Sequence, residues 1–210
     1  MGIINFIMHI DVHLGEIIAK YGELTYIILF AIIFAETGFV FTPFLPGDSL
    51  LFAGGMFSAT EAFNVIGLAF LLWAAAVMGD NTNYWIGYFF GKKIVAYPKI
   101  PINQKHIDKT QEFYEKHGGK TIFIARFMPI IRTFAPFVAG IGKMDYLKFL
   151  SFSVSGGFVW VFCFVFAGYL FGNIPVVKNN FSLVVMGIIL ISVMPAVLGI
   201  LKEMRKKKDL

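Results

Sequence analysis

Long apolar runs separated by short polar breaks dominate the chain. Residues 3–20 place Ile3, Phe6, Ile7, Ile10, Leu14, Ile17 and Ile18 at helical spacing, with His9, Asp11, His13, Glu16 and Lys20 on the other face. That pattern predicts an amphipathic N-terminal helix over residues 1–22, either lying at a membrane interface or packed on another part of the protein. Leu24 to Phe41 is the first strongly apolar run, and as a helix it would reach ~27 Å, just enough to span. Pro43 and Pro46 then remove backbone donors and disfavour helix before them. A new helix is expected at Asp48-Ser49, either residue being a natural N-cap. Its run to about Phe57 is too short to cross and reads as half of a re-entrant hairpin, about residues 42–57. Phe63 to Phe90 is a long span with a polar band, Gly79-Asp80-Asn81 and Asn83-Tyr84, in its second half. Residues 92–120 change character: a loop, then a short surface helix from about Asn103 to His117, ended by Gly118-Gly119. Residues 121–141 are apolar again but carry Arg126, Arg132, Pro129 and Pro136. Two more spans follow, Tyr146 to Phe171 and Phe181 to Leu201, and a basic tail over 202–210.

Composition sharpens this picture. The chain is 58% hydrophobic and 15% charged, with 25 Phe. Soluble domains are roughly 45–50% apolar and about 25% charged. The expected fold is therefore an all-α polytopic membrane protein, a helix bundle in lipid over residues 23–201. The net charge of +5 sits in short loops and the tail, so it does not indicate nucleic acid. Cys163 stands alone and cannot form an intrachain disulfide. Asp11, Glu16 and Lys20 interrupt the first apolar run, and no small-residue cleavage site follows, so it does not read as a signal peptide. No His falls in a predicted span; neither an intramembrane metal nor another cofactor is expected.

Charge also orients the chain. The tail has five Lys/Arg and the 92–120 loop has seven Lys, so both are expected in the cytoplasm. The spans 146–171 and 181–201 then cross out and back. The arginine segment must enter and leave from the cytoplasmic side, and Lys143 and Lys148 at its exit agree. Working backwards, the hairpin at 42–57 dips in from outside and both termini are cytoplasmic. Two broken segments entering from opposite faces are the signature of an inverted-repeat transporter with its site at the midplane.

An arginine at the centre of a span costs ~2.5–3.5 kcal/mol on insertion scales, so two in one segment need a reason. The guanidinium fork matches phosphate oxygens and stays charged, which points to phosphate capture by Arg126 and Arg132. A spacing of six is not a same-face spacing, but a break near Pro129 or Thr133 would bring both forks to one point. The bland alternative for Arg126 is snorkelling toward headgroups from near Lys120. Glu36 and Asp48 read as counter-ions of the empty site, pairing with Arg126 or Arg132, or as proton carriers. Desolvation and a nearby arginine push a carboxylate in opposite directions, and the sequence leaves open which wins. Asp48 also fits an ordinary helix cap, which makes Glu36 the better proton carrier. Pro46, Gly47, Ser49, Asp80, Asn83, Pro129 and Thr133 are supporting candidates. Hydrogen bonding between helices is the expected role of the band at 80–84, with substrate contact second. Trp85, Trp160 and the many Phe are expected to face lipid or form an interfacial belt. Gly54-Gly55 and Gly156-Gly157 are expected at close helix contacts.

The stretches Glu36-Thr37-Gly38, Pro43 to Asp48, Gly79-Asp80, Tyr114 to Lys120, and Arg126 to Pro129 through Arg132 to Ala139-Gly140 together resemble the DedA family, also called SNARE-associated or VTT-domain proteins. The resemblance runs from about Tyr21 to Leu201. It implies a bacterial inner-membrane protein with two opposed re-entrant hairpins. It also implies translocation of undecaprenyl phosphate or phosphatidylethanolamine, linked to the proton-motive force. The family's essential acidic pair matches Glu36 and Asp48, and its arginine pair matches Arg126 and Arg132. One departure is Ser155, where the family often has Asn before the Gly-rich turn and Trp160, which leaves no side-chain amide there.

The expected function is thus a flippase for a phosphate-bearing lipid, with protons as the coupled partner. Both candidate lipids present a phosphate on an apolar tail, and the sequence does not choose between them. A proton-coupled exporter of small cations or drugs would explain the acids better than the arginines. A lipid phosphatase would need a nucleophile with its base; Ser49 has no evident one, so an enzyme is not expected. A membrane scaffold would explain none of the four charges. Oligomeric state stays open, a homo-oligomer included.

Overall fold

The computed structural model describes residues 10–39, 47–95, 114, 118–184 and 186–187, excepting the side chains at 10–11, 92–95 and 129–130. Pro43, Pro46, most of the 92–120 loop, most of the 181–201 span and the 202–210 tail lie outside these residues. The described residues form helices and connecting turns, with no strand among them. In order the helices are α1 (Ile10–Tyr21), α2 (Leu24–Gly38), α3 (Gly47–Ser58), α4 (Val65–Val95), α5 (Lys120–Ala125), α6 (Pro129–Ile141), α7 (Tyr146–Phe171) and α8 (Pro175–Asn179).

Two of these are long and apolar enough to cross a membrane: Val65–Gly91 within α4, with mean hydropathy 1.5, and α7, with mean hydropathy 2.0. Each would measure ~40 Å, more than the ~30 Å of hydrocarbon. In contrast, α2, α3 and α6 have 15, 12 and 13 residues. At roughly 18–23 Å none of the three spans alone. The sequence places α2 three residues longer, to Phe41; its helix ends at Gly38, and Phe39 is extended.

α1 packs on the protein over its described length. Leu14 is buried in the main core, and Gly15 lies against the Phe57 ring of α3.

The long and short helices interlock. α2 packs on α4 and α5 on α7, while α3 packs on α7 and α6 on α4. Each short helix that follows a break therefore rests on the long helix of the other half. The contacts repeat residue for residue. In α3 and α7, a Cβ on Gly55 would collide with the Val165 carbonyl oxygen, and one on Gly168 with the Phe52 carbonyl oxygen. In α6 and α4, a Cβ on Gly140 would collide with the Tyr84 carbonyl oxygen, and one on Gly87 with the Phe137 carbonyl oxygen. Both short helices use an F-x-x-G step, and in both long helices the struck carbonyl lies three residues before the glycine. Only glycine lets backbones meet this closely.

The mouths of the two broken segments lie at opposite ends of α4. The turn after α3 sits at its start, where the Asn64 amide donates to Tyr26 Oη of α2 at 2.8 Å. The turn after α6 sits at its end, where Tyr84 Oη donates to the Met144 carbonyl at 2.6 Å and Lys143 Nζ lies 5.6 Å from the Tyr88 ring. Both turns close in the same way. Glu61 (φ 63°) and Lys143 (φ 51°) occupy the left-handed position. The next amides, of Ala62 and Met144, reach back to the Phe57 and Ala139 carbonyls. A related stop ends the residues before α5: Gly118 has φ +58° and its amide donates to the Tyr114 carbonyl, as the Gly-Gly pair predicts.

Candidate functional site: a buried cluster of five charges

The centre of the bundle is built where four helix ends or midpoints converge. The last turn of α2 delivers Glu36, and the first turn of α3 delivers Asp48. Asp80 sits near the middle of α4 and Trp160 near the middle of α7. Arg126 immediately follows α5. The chain then turns at Met128, which is extended (φ −121°, ψ 104°), as a residue before proline prefers, and Pro129 opens α6. This break, just before Pro129, brings Arg126 and Arg132 to one place despite their spacing of six.

Arg132 bridges two carboxylates with two different nitrogens. Nη2 donates to Glu36 Oε1 at 2.5 Å, and Nη1 donates to Asp48 Oδ1 at 2.7 Å. Trp160 Nε1 donates to the same Asp48 oxygen at 2.9 Å. Arg126 takes a separate partner: its Nη2 donates to Asp80 Oδ2, which also accepts from Ser153 Oγ at 2.6 Å. The two guanidinium groups face one indole, lying 5.5 Å (Arg126) and 4.7 Å (Arg132) from the Trp160 ring centre. Arg126, Arg132, Glu36 and Asp80 are all buried. Among the described residues, Arg126 Nη1 and Arg132 Nε are buried donors with no hydrogen-bond partner. Two cations against three carboxylates give the cluster a formal charge of −1 with every group ionised.

The neighbouring positions are shaped for this cluster. A Cβ on Gly47 would run into the Glu36 carboxylate, so the start of α3 presses on that acid. Gly79 lets α2 approach α4, since a Cβ there would meet Thr37 Oγ1. Asn83 Nδ2 ties the ends of both broken segments together, donating to the Thr37 carbonyl at 3.2 Å and the Thr133 carbonyl at 2.7 Å. Ser49 Oγ is buried nearby without a hydrogen bond to the described residues. Pro46 and the Pro129 side chain lie outside the described residues.

Several expectations need correction. Arg126 does not snorkel: it is 2% exposed, with its charge against Asp80. Asp80 belongs to the ionic cluster instead of merely joining helices, whereas Asn81 and Asn83 do hydrogen-bond between helices. Asp48 is not a cap alone, because its carboxylate receives Arg132 and Trp160. Trp160 does not face lipid; at 1% exposure it is the wall both arginines stack on. Its place at mid-span was the available signal, since belt residues sit at span ends. Trp85, with Tyr88, Phe89 and Phe90, is exposed in the second half of α4. A Cβ on Gly157 would lie 3.4 Å from the Arg126 guanidinium and one on Gly156 would meet Phe123 of α5, so the second pair admits the arginine segment. Sequence reasoning passed over Ser153, one turn before Gly157 and too ordinary a residue to stand out.

An all-helical bundle with membrane-length helices and a paired ionic centre in their middle defines a class: membrane proteins that keep charge inside the apolar layer for a purpose. Comparison with known proteins agrees. The VTT domain matches residues 45–170. The chain is 52% identical to Protein DedA of Escherichia coli (strain K12) over 206 residues, covering 97% of this chain and 94% of that protein. It is 41% identical to an uncharacterized membrane protein of Mycobacterium tuberculosis (strain H37Rv), covering 85% and 79% of the two chains. It is 32% identical to the inner membrane protein YqjA of Escherichia coli (strain K12), covering 72% and 69%. No solved structure matches. The chain belongs to the DedA family of VTT-domain membrane proteins.

Proposed function

We propose that this protein moves a phosphate-bearing lipid across the bacterial inner membrane, binding the headgroup at Arg126 and Arg132. Undecaprenyl phosphate is the first candidate and phosphatidylethanolamine the second. The observation that carries this reading is the pair of guanidinium groups over one indole, each with a buried N–H that has no partner among the described residues. Such donors call for an anion, and phosphate oxygens are acceptors suited to them. The broken segments act as opposed re-entrant hairpins of an inverted repeat. Their mouths at opposite ends of α4 and the matching glycine crossings support that arrangement. On the charge rule, the Lys143 end faces the cytoplasm, with both termini.

Coupling follows from competition. A phosphate arriving at Arg132 displaces Glu36 or Asp48 from it. The displaced carboxylate is left in a dry site without a counter-charge and takes up a proton, which ties transport to the proton gradient. Glu36 is the carrier, because Asp48 keeps its bond from Trp160.

The surplus negative charge favours a second reading, a proton-coupled exporter of small cations. Proteoliposomes decide between them. Labelled phosphate lipid should flip in the presence of the wild-type chain. Arg132→Lys keeps the charge but loses the fork that bridges Glu36 and Asp48; flipping should fall by roughly tenfold or more, the worth of one charge-assisted hydrogen bond. Cation uptake without lipid movement would support the exporter. Phosphate release would expose a lipid phosphatase. An Arg132→Lys variant working at the wild-type rate would leave bidentate recognition without support.

A further inference from the structure

We infer that Asp80 is a resident substitute for the substrate phosphate on Arg126, an internal anion that the headgroup must displace. This deepens the phosphate-lipid reading above and rests on it.

The argument starts from how Arg126 is shared. One nitrogen, Nη2, meets Asp80; the other, Nη1, is buried with no partner among the described residues. A guanidinium fitted for structure alone would engage a carboxylate with both nitrogens or satisfy the second elsewhere. The same oxygen of Asp80 also accepts from Ser153 Oγ of α7 at 2.6 Å. Arg126, just after α5, and Ser153 of α7 therefore converge on Asp80 Oδ2, as two donors would converge on a phosphate oxygen.

Charge balance gives the second step. The cluster already carries one more carboxylate than it has guanidinium groups. A phosphate added to all three carboxylates would meet net repulsion in a low-dielectric centre. Proton uptake by the carboxylate at Arg132 relieves one charge. Freeing Arg126 and Ser153 requires Asp80 to move off as well. Asp80 thus keeps the empty site neutralised on the Arg126 side and weakens headgroup binding, so that the lipid can leave again. The ligand class is a phosphate ester recognised by Arg126, Arg132 and the Ser153 hydroxyl together.

The test is an affinity measurement on the full chain in detergent micelles, with dihexanoyl phosphatidic acid and, separately, inorganic phosphate as probes. Asp80→Asn keeps the shape and a hydrogen-bond acceptor but removes the competing charge. Binding should tighten by roughly tenfold, the worth of one charged hydrogen bond released. Asp80→Ser should tighten it too and serves if Asp80→Asn does not fold. Asp80→Glu, which keeps the charge, should bind no tighter than wild type. A structural role for Asp80 predicts weaker binding in every case, so unchanged or weaker binding by folded Asp80→Asn and Asp80→Ser overturns the inference while wild-type binding leaves the site reading intact. If neither wild type nor either variant binds phosphate or the lipid, the phosphate reading falls and this inference with it. Tightening with inorganic phosphate alone would identify the free ion, not the lipid, as the ligand.

Discussion

The crossing of α3 and α7 makes a demanding prediction for Gly168→Ala. A Cβ at 168 would collide with the Phe52 carbonyl oxygen, 2.8 Å from the carbonyl carbon and 3.1 Å from the Met56 amide nitrogen. Ordinary contacts between such atoms lie near 3.5–4.0 Å and the carbonyl oxygen would lie nearest of the three, so the helices must part by roughly 1.5–2 Å. Both partners are main chain, and no side chain can swing aside to absorb the methyl group. Overpacking of this kind costs about 1–3 kcal/mol, and the backbone partners place it near the top of that range. Alanine's better helix propensity returns up to about 1 kcal/mol, leaving a net loss of ~2 kcal/mol. For a chain of this size that lowers Tm by roughly 4–8 °C. Thermal unfolding of the purified chain in detergent measures it. Gly87→Ala, which would strike Phe137 in the matching crossing, should lose a similar amount. Gly67→Ala is the control: its nearest atom would be Asn64 Oδ1 at 3.5 Å, and it should be neutral or slightly stabilising. If Gly168→Ala melts within about 1 °C of wild type while the control behaves, the helices do not cross in close backbone contact and the reasoning is wrong.

Two further predictions concern direction and coupling. In a Cys163→Ser background, a cysteine at Thr60 should react with an impermeant reagent from outside, and one at Lys143 from the cytoplasmic side; reaction of both from one side would sink the opposed hairpins. Glu36→Gln mimics the protonated acid on Arg132, so proteoliposomes should still bind phosphate lipid but flip it with lost dependence on the proton gradient. Unchanged pH dependence would make Glu36 structural and move the proton route to Asp48.

What was legible in the sequence follows from what lipid makes expensive. Arg126, Arg132 and Glu36 stood out because charge in an apolar run is costly. Pro129 stood out because proline breaks helices, and the break it marks is the one that lets two arginines six residues apart meet over Trp160. Pairings are a different matter. Asp80 lay within a polar band whose Asn81, Asn83 and Tyr84 do join helices, and nothing in local spacing told Asp80 from them. Its role depends on the face of α4 that meets Arg126 and Ser153, a matter of helix rotation to which the glycine contacts at Gly79 and Gly87 contribute. Trp160 hid among 25 Phe and two other Trp because aromatic residues suit lipid as well as they suit a guanidinium. The same glycines thus fix both the interlock and the charge balance. They bring the two halves close enough for three carboxylates to reach two arginines.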